Sequence, residues 1–244
     1  MGRGILAKTK LAVTAAGIAA LAACAAPPPP PAPVAYAPPP PPPRVVIPPR
    51  PTPPAGAFAT MAIPQMSADG VRQTVNTGIS SEQKLWNLRS GLNVAALNCL
   101  RAEHAGLVEN YRTLLKQHSR QLAATNNALT KQYRDKHGRS FRDHQDAYMT
   151  RVYNYFALPP VLPDFCNVAL QVSHEVVQVK PGQLDAFAEQ ALPRLEAVYE
   201  QFFSAYEKYR VDLAAWDARY GAGGGRTMEA TYNQVATSSN LTSE

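Results

Sequence analysis

The densest gathering of residues able to ligate a metal runs from Asp135 to Asp146, where His137, Asp143 and His144 stand on either side of Gly138. Adjacent residues on a helix point about 100° apart, so Asp143 and His144 do not readily serve one ion. The His-Glu-x-x-His pattern of a helical zinc site is absent. The favoured reading is a solvated, charged helix–helix junction in which Lys131, Arg134, Lys136, Arg139 and Arg142 balance those acids. A metal held by His137, Asp143 and His144 is the lesser alternative, and no cofactor is expected. Paired carboxylates carry glycoside hydrolysis when their separation suits it. Glu103, Glu109, Glu175, Glu196 and Glu200 qualify by type, but spacing alone assigns no distance between them. There is no Gly-x-Ser-x-Gly nucleophile elbow, and the glycine run Gly221–Gly225 lacks the lysine and helix of a phosphate-binding loop. Tyr148, Tyr153, Tyr155, Tyr199, Tyr206 and Tyr209 could line a groove for glycan or peptide, yet at helical spacing they read mainly as core and its margin. The balance leans away from an enzyme.

The most specific chemistry is at the other end of the chain. Arg3, Lys8 and Lys10 precede an apolar run from Leu11 to Ala22, too short for the roughly 20 residues that cross a bilayer. Such a run after a basic start is the pattern of a cleaved secretory signal. The junction Leu21-Ala22-Ala23-Cys24 resembles the bacterial lipobox. That resemblance implies cleavage after Ala23, a diacylglyceryl thioether on Cys24 and N-acylation of the new terminus. Ala25, rather than an aspartate, follows the cysteine, which resembles outer-membrane cargo. The expectation is a lipid-anchored protein of the cell envelope, on the outer membrane facing the periplasm. Removing the signal takes away three basic residues and leaves 21 against 18 acidic ones. That mild excess gives no reason to propose nucleic acid as a partner. The bilayer is the expected partner, with peptidoglycan or another envelope protein as further ones.

The segment after Cys24 must hold the folded part away from the anchor. Between residues 27 and 54 lie 17 of the 23 prolines, so neither helix nor sheet ladder is possible and polyproline II is expected. At about 3.1 Å per residue, the thirty or so residues reach roughly 100 Å. A spacer across the envelope is favoured over a docking site for proline-recognition domains. The divisions expected are a signal peptide over residues 1–23, a lipidated spacer over 24–57 and an extended lead-in over 58–79. A helical domain over 80–220 and a flexible tail over 221–244 complete them. The lead-in has a short apolar stretch from Phe58 to Ile63 and a turn at Asp69-Gly70, and it is expected to lie along the body as a strap.

From Ser80 to Tyr220 apolar residues recur at helical spacing, so the expected fold is all-α, an up-and-down bundle of about four to five helices. Ser80 with Gln83 forms a capping box, with Leu85, Leu88, Leu92 and Cys99 next on one face. A second stripe runs from Leu107 to Leu129 and closes at His137-Gly138, and spacing leaves open whether it joins the first. Ser140 opens a third helix, Pro159-Pro160 ends it, and Pro163 sits in the first turn of a fourth. Lys180-Pro181-Gly182 precedes a last long helix through Trp216, with Pro193 as its kink.

Cys99 and Cys166 remain once Cys24 is assigned to lipid. An oxidising envelope makes this even pair a disulfide candidate tying the first helix to the fourth. The alternative is two buried thiols packed as small apolar groups. Leu85-Trp86, Leu88-Arg89, Gly91 through Leu97, Cys99, Asn110-Tyr111, Tyr153-Asn154 and Phe165-Cys166 resemble a group of uncharacterised exported bacterial helical proteins over most of Ser80 to Trp216. The resemblance implies the compartment and the paired cysteines, and no reaction. The function expected is therefore a lipid-anchored envelope protein presenting a helical binding or structural module. The alternatives are a glycan- or peptide-acting envelope enzyme and an accessory subunit of a membrane complex.

Overall fold

The computed structural model describes residues 46–54 and 56–221; Cys24 and the proline runs before residue 46 lie outside them. The described part is helical, with α1 Ser81–Asn98, α2 Gly106–Gln117, α3 Ser119–His137, α4 Phe141–Phe156, α5 Leu162–Val176 and α6 Leu184–Tyr220. The only strand-like pairing among the described residues is an isolated antiparallel bridge between Met66 and Arg72.

The capping box at the start of α1 forms in full. Ser80 Oγ accepts the Gln83 N–H at 3.3 Å, and Gln83 Oε1 accepts the Ser80 N–H at 3.1 Å, so two otherwise unpaired donors are satisfied. Leu85, Leu88, Leu92 and Ala95 then turn one stripe of α1 into the core. Gly91 lets the ring of Phe156 approach so closely that a β-carbon there would stand 3.2 Å from it. Around this contact Phe156, Phe165 and Tyr199 pack with ring centroids 5.7 to 5.9 Å apart, Tyr199 edge-on to both phenylalanines, a geometry that aromatic quadrupoles favour. The buried Tyr199 hydroxyl donates to the Phe156 carbonyl at 2.8 Å.

The second stripe divides. His118 has φ −107° and ψ 18°, ending α2 with its N–H on the Leu114 carbonyl and starting α3 with its own carbonyl on the Leu122 N–H. The apolar spacing continues across the break because α3 resumes almost in phase. The His118 ring is buried, and neither nitrogen completes a hydrogen bond. Burial pulls its pKa down, against the Val179 carbonyl, which pulls the other way and already accepts Gln117 Nε2 at 2.7 Å. At the end of α3, Gly138 adopts φ +57° and ψ −125°, not the left-handed helical turn but another positive-φ conformation that a glycine reaches without steric cost. Ser140 does not cap α4 through its side chain; its hydroxyl donates back to the His137 carbonyl at 3.1 Å.

Cys99, capping the C-terminus of α1, is disulfide-bonded to Cys166 of α5, with Cα atoms 5.6 Å apart. α6 has 37 residues, about 55 Å at 1.5 Å per residue. Pro193 lies inside it and cannot donate to the Glu189 carbonyl one turn back.

Candidate functional site

Glutamates recur along α6 at positions 189, 196, 200 and 207, spacings of seven, four and seven that hold one face of a helix. Each meets a polar partner from the segment that precedes α1 or from α1's first turn. Ser81 Oγ and Lys84 Nζ reach Glu189, Thr74 Oγ1 donates to Glu196 at 3.0 Å, and Arg72 takes both Glu200 and Glu207. Residues 48–79 thus run as a strap antiparallel to α6. Beyond Arg72 the strap is held through its own carbonyls. Phe58 O accepts Tyr206 Oη at 2.7 Å, Met61 O accepts Arg210 Nη2 at 2.7 Å and Pro48 O accepts Trp216 Nε1 at 2.8 Å. Arg50 closes the far end with paired bonds of 2.9 and 3.0 Å to Asp217 and lies over the Trp216 ring.

Arg72 is the centre of this arrangement, its side chain only 3% exposed. Nε and Nη2 bond Glu200, Nη1 and Nη2 bond Glu207, and Nη1 also reaches the Pro64 carbonyl, all at 2.7 to 3.1 Å. Every one of the guanidinium's five N–H donors is therefore used. The cation lies over the Phe203 ring at 5.5 Å. These hydrogen bonds hold the arginine charged and hold Glu207 below the usual carboxylate range.

Beside Arg72 a cleft of about 420 Å³ opens between the strap and α6, lined by Thr74, Asn76, Tyr155, Pro193, Glu196 and Glu200. Burial pushes the Glu196 carboxyl up, with the nearby Asn76 amide and the Thr74 hydroxyl opposing and the charge of Glu200 reinforcing. Burial likewise raises the Tyr155 phenol, helped by Glu196 and Glu200. The cleft thus holds one carboxyl disposed to keep its proton and another clamped by an arginine. A buried carboxyl with a raised pKa in a cleft is a candidate for acid–base chemistry or for recognition of a polar ligand. Behind it, the fully buried Asn87 donates to Asn76 Oδ1 and to Tyr148 Oη, each at 2.7 Å, and Tyr148 passes the chain to the Val75 carbonyl. Asn76 Nδ2 is buried without a partner of good geometry. The Tyr148 phenol is pushed up to about 12, chiefly by burial.

Of the carboxylates singled out by type, the structure brings only Glu196 and Glu200 together. Glu103 pairs with Arg101, Glu109 with Arg112 and Glu175 with Arg194, each a separate exposed ion pair. His137 and His144 meet with ring centroids 3.9 Å apart and planes inclined by 18°. Stacked faces do not point two nitrogens at one ion, and among the described residues no group of three His, Cys, Asp or Glu side chains converges. No helix among the described residues is long and apolar enough to cross a membrane. Arg72 carries no signal of its own in sequence. Its partners are detectable, since four glutamates on one helical face require cations or hydroxyls opposite. No protein-family model matches the chain, and comparison with curated proteins and with solved structures returns no match.

Proposed function

We propose that this chain is a lipid-anchored protein of the bacterial cell envelope, exported, cleaved before Cys24 and carried on a proline spacer. Its helical domain acts as a binding module, and the cleft between strap and α6 takes its ligand. The observation that carries the reading is the clasp where the proline-rich stretch meets the body. Pro48 and Arg50 are held by Trp216 and Asp217 at the C-terminal end of α6. A pull on the anchor is delivered there to a 37-residue helix, while the cleft at Pro193, Glu196 and Glu200 sits about five turns further along it. The lipobox at Leu21-Ala22-Ala23-Cys24 supports the anchor, and the outer membrane facing the periplasm is the address it implies. Fractionation tests this. Wild type should follow the outer membrane, and Cys24→Ser should leave it; equal distribution of the two overturns the reading.

The different environments of Glu196 and Glu200 favour one second reading, an acid–base enzyme acting on envelope glycan or peptide. In that case Glu196→Gln abolishes the protein's effect on the envelope while the fold is kept. A binding module tolerates Glu196→Gln better than a change of the cleft's shape, such as Thr74→Trp.

A further inference from the structure

The α3–α4 hairpin concentrates most of the chain's excess charge. Residues 131–146 carry Lys131, Arg134, Lys136, Arg139 and Arg142 against Asp135, Asp143 and Asp146. That excess of two is most of the excess of three from Cys24 onward, where 21 basic residues stand against 18 acidic ones. Lys131 is paired with Asp135. Arg134, Lys136, Arg139 and Arg142 are exposed and form no ion pair among the described residues. Arg134 and Arg142 both lie over the ring of Phe141, at 4.9 and 5.6 Å, so the cationic tip carries an aromatic at its centre. Beside it stand the stacked rings of His137 and His144.

Tyr133 stacks on His137 from within α3 and Lys136 adds a positive charge. Asp135, paired with Lys131, is the nearby acid on α3, and Asp143 and Asp146 are those on α4. On α1 the nearest acid is Glu82, which accepts Gln132 Nε2 at 3.1 Å more than a turn away. Burial, then His144 and Lys136, lower the affinity of His137 for a proton. An anionic surface laid against the tip offsets those charges and restores it, so binding and protonation are linked.

We propose that the tip of the α3–α4 hairpin docks onto an anionic phospholipid bilayer and holds it more tightly when His137 is protonated. The unpaired cations of the tip are all exposed around one short turn between two helices, which suits a surface rather than a small molecule. The bilayer is favoured over soluble polyanions because the proposed anchor at Cys24 keeps it within the spacer's reach, and in that respect the inference rests on the lipoprotein reading. Each basic residue close to an anionic surface raises partitioning about fivefold, and the one charge that His137 gains raises it by about the same factor.

The test is co-sedimentation of full-length Cys24→Ser protein with phosphatidylcholine vesicles, with and without about one-third phosphatidylglycerol, at low salt. Lacking lipid, this protein reports only contacts of the polypeptide. The signal segment contributes equally to every variant, so differences between variants belong to the hairpin. Binding to the anionic vesicles should exceed that to neutral ones, and should rise up to about fivefold from about pH 7.5 to about pH 5.5. Lys136→Glu/Arg139→Glu, both exposed, should bind the anionic vesicles at least about tenfold more weakly than the parent. His137→Gln/His144→Gln should match the parent at the higher pH and lose the rise. The proposal is overturned if Lys136→Glu/Arg139→Glu sediments like its parent, if the histidine variant keeps the rise, or if heparin is bound while the vesicles are not. A bare Cys24 in the exported protein, by contrast, would refute the anchor and leave the vesicle result standing.

Discussion

Replacing Arg72 by alanine removes five hydrogen bonds at once and leaves two glutamates facing each other. Breaking a fully buried ion pair costs about 3–5 kcal/mol, because the partner left behind is desolvated. Here Glu200 and Glu207 keep 47% and 41% of their side-chain surface, so water can replace much of what they lose. The cost is therefore about 2–3 kcal/mol, and a domain of this size should melt about 5–10 °C lower. Glu207 sets the pH dependence. Its pKa is depressed in the folded state, so its contribution is present above the unfolded carboxylate value and lost as pH falls through the folded one. Wild type and variant should therefore converge in stability at acid pH and separate near neutrality. The assay is urea unfolding across that range, joined to amide hydrogen exchange, in which residues 58–79 should lose protection well before α1 does. Unchanged protection of the strap in Arg72→Ala would refute the role given to the arginine.

Four further outcomes are expected. Reducing the Cys99–Cys166 bridge, which spans a sequence separation of 67, should cost about 4 kcal/mol in the loop-entropy model, seen as a lower urea midpoint in reductant. Gly91→Val should destabilise by about 1–3 kcal/mol through overpacking against Phe156, read by thermal unfolding. Tyr199→Phe should cost about 1 kcal/mol by leaving the Phe156 carbonyl unpaired, measured the same way. Glu196, whose pKa is raised by burial, contributes stability present below the unfolded carboxylate value and lost as pH rises through the folded one. Glu196→Gln should accordingly be more stable than wild type near neutral pH, and a less stable variant there would show that the carboxylate is welcome in the cleft.

Local signals are legible in the sequence because their physics is local. Ser80 and Gln83 satisfy each other's backbone within one turn, and Gly138 takes a positive φ where the stripe closes. Cys99 and Cys166 are held at bonding distance by two helices whose apolar faces are visible as spacing. The break at His118 is hidden, since the stripe continues through it and no proline or glycine marks it. The role of Arg72 is hidden for a different reason. Its partners lie 128 and 135 residues away, and nothing around an arginine after Gly70-Val71 distinguishes a buried hub from a solvated surface charge. Glu196 and Glu200 are two candidates of equal standing by type, and only the strap separates them by covering one and clamping the other. Trp216 reads as one more apolar helical position, yet it closes the clasp on Pro48.

The anchor at Cys24 underlies the proposed location, the purpose of the spacer and the meaning of the clasp at Pro48. The most direct test is the intact mass of the N-terminal peptide of the exported wild-type protein. The expected peptide starts at Cys24 and is heavier by a diacylglyceryl thioether, with an amide-linked acyl chain in a Gram-negative host. A peptide of unmodified mass starting elsewhere would contradict the anchor.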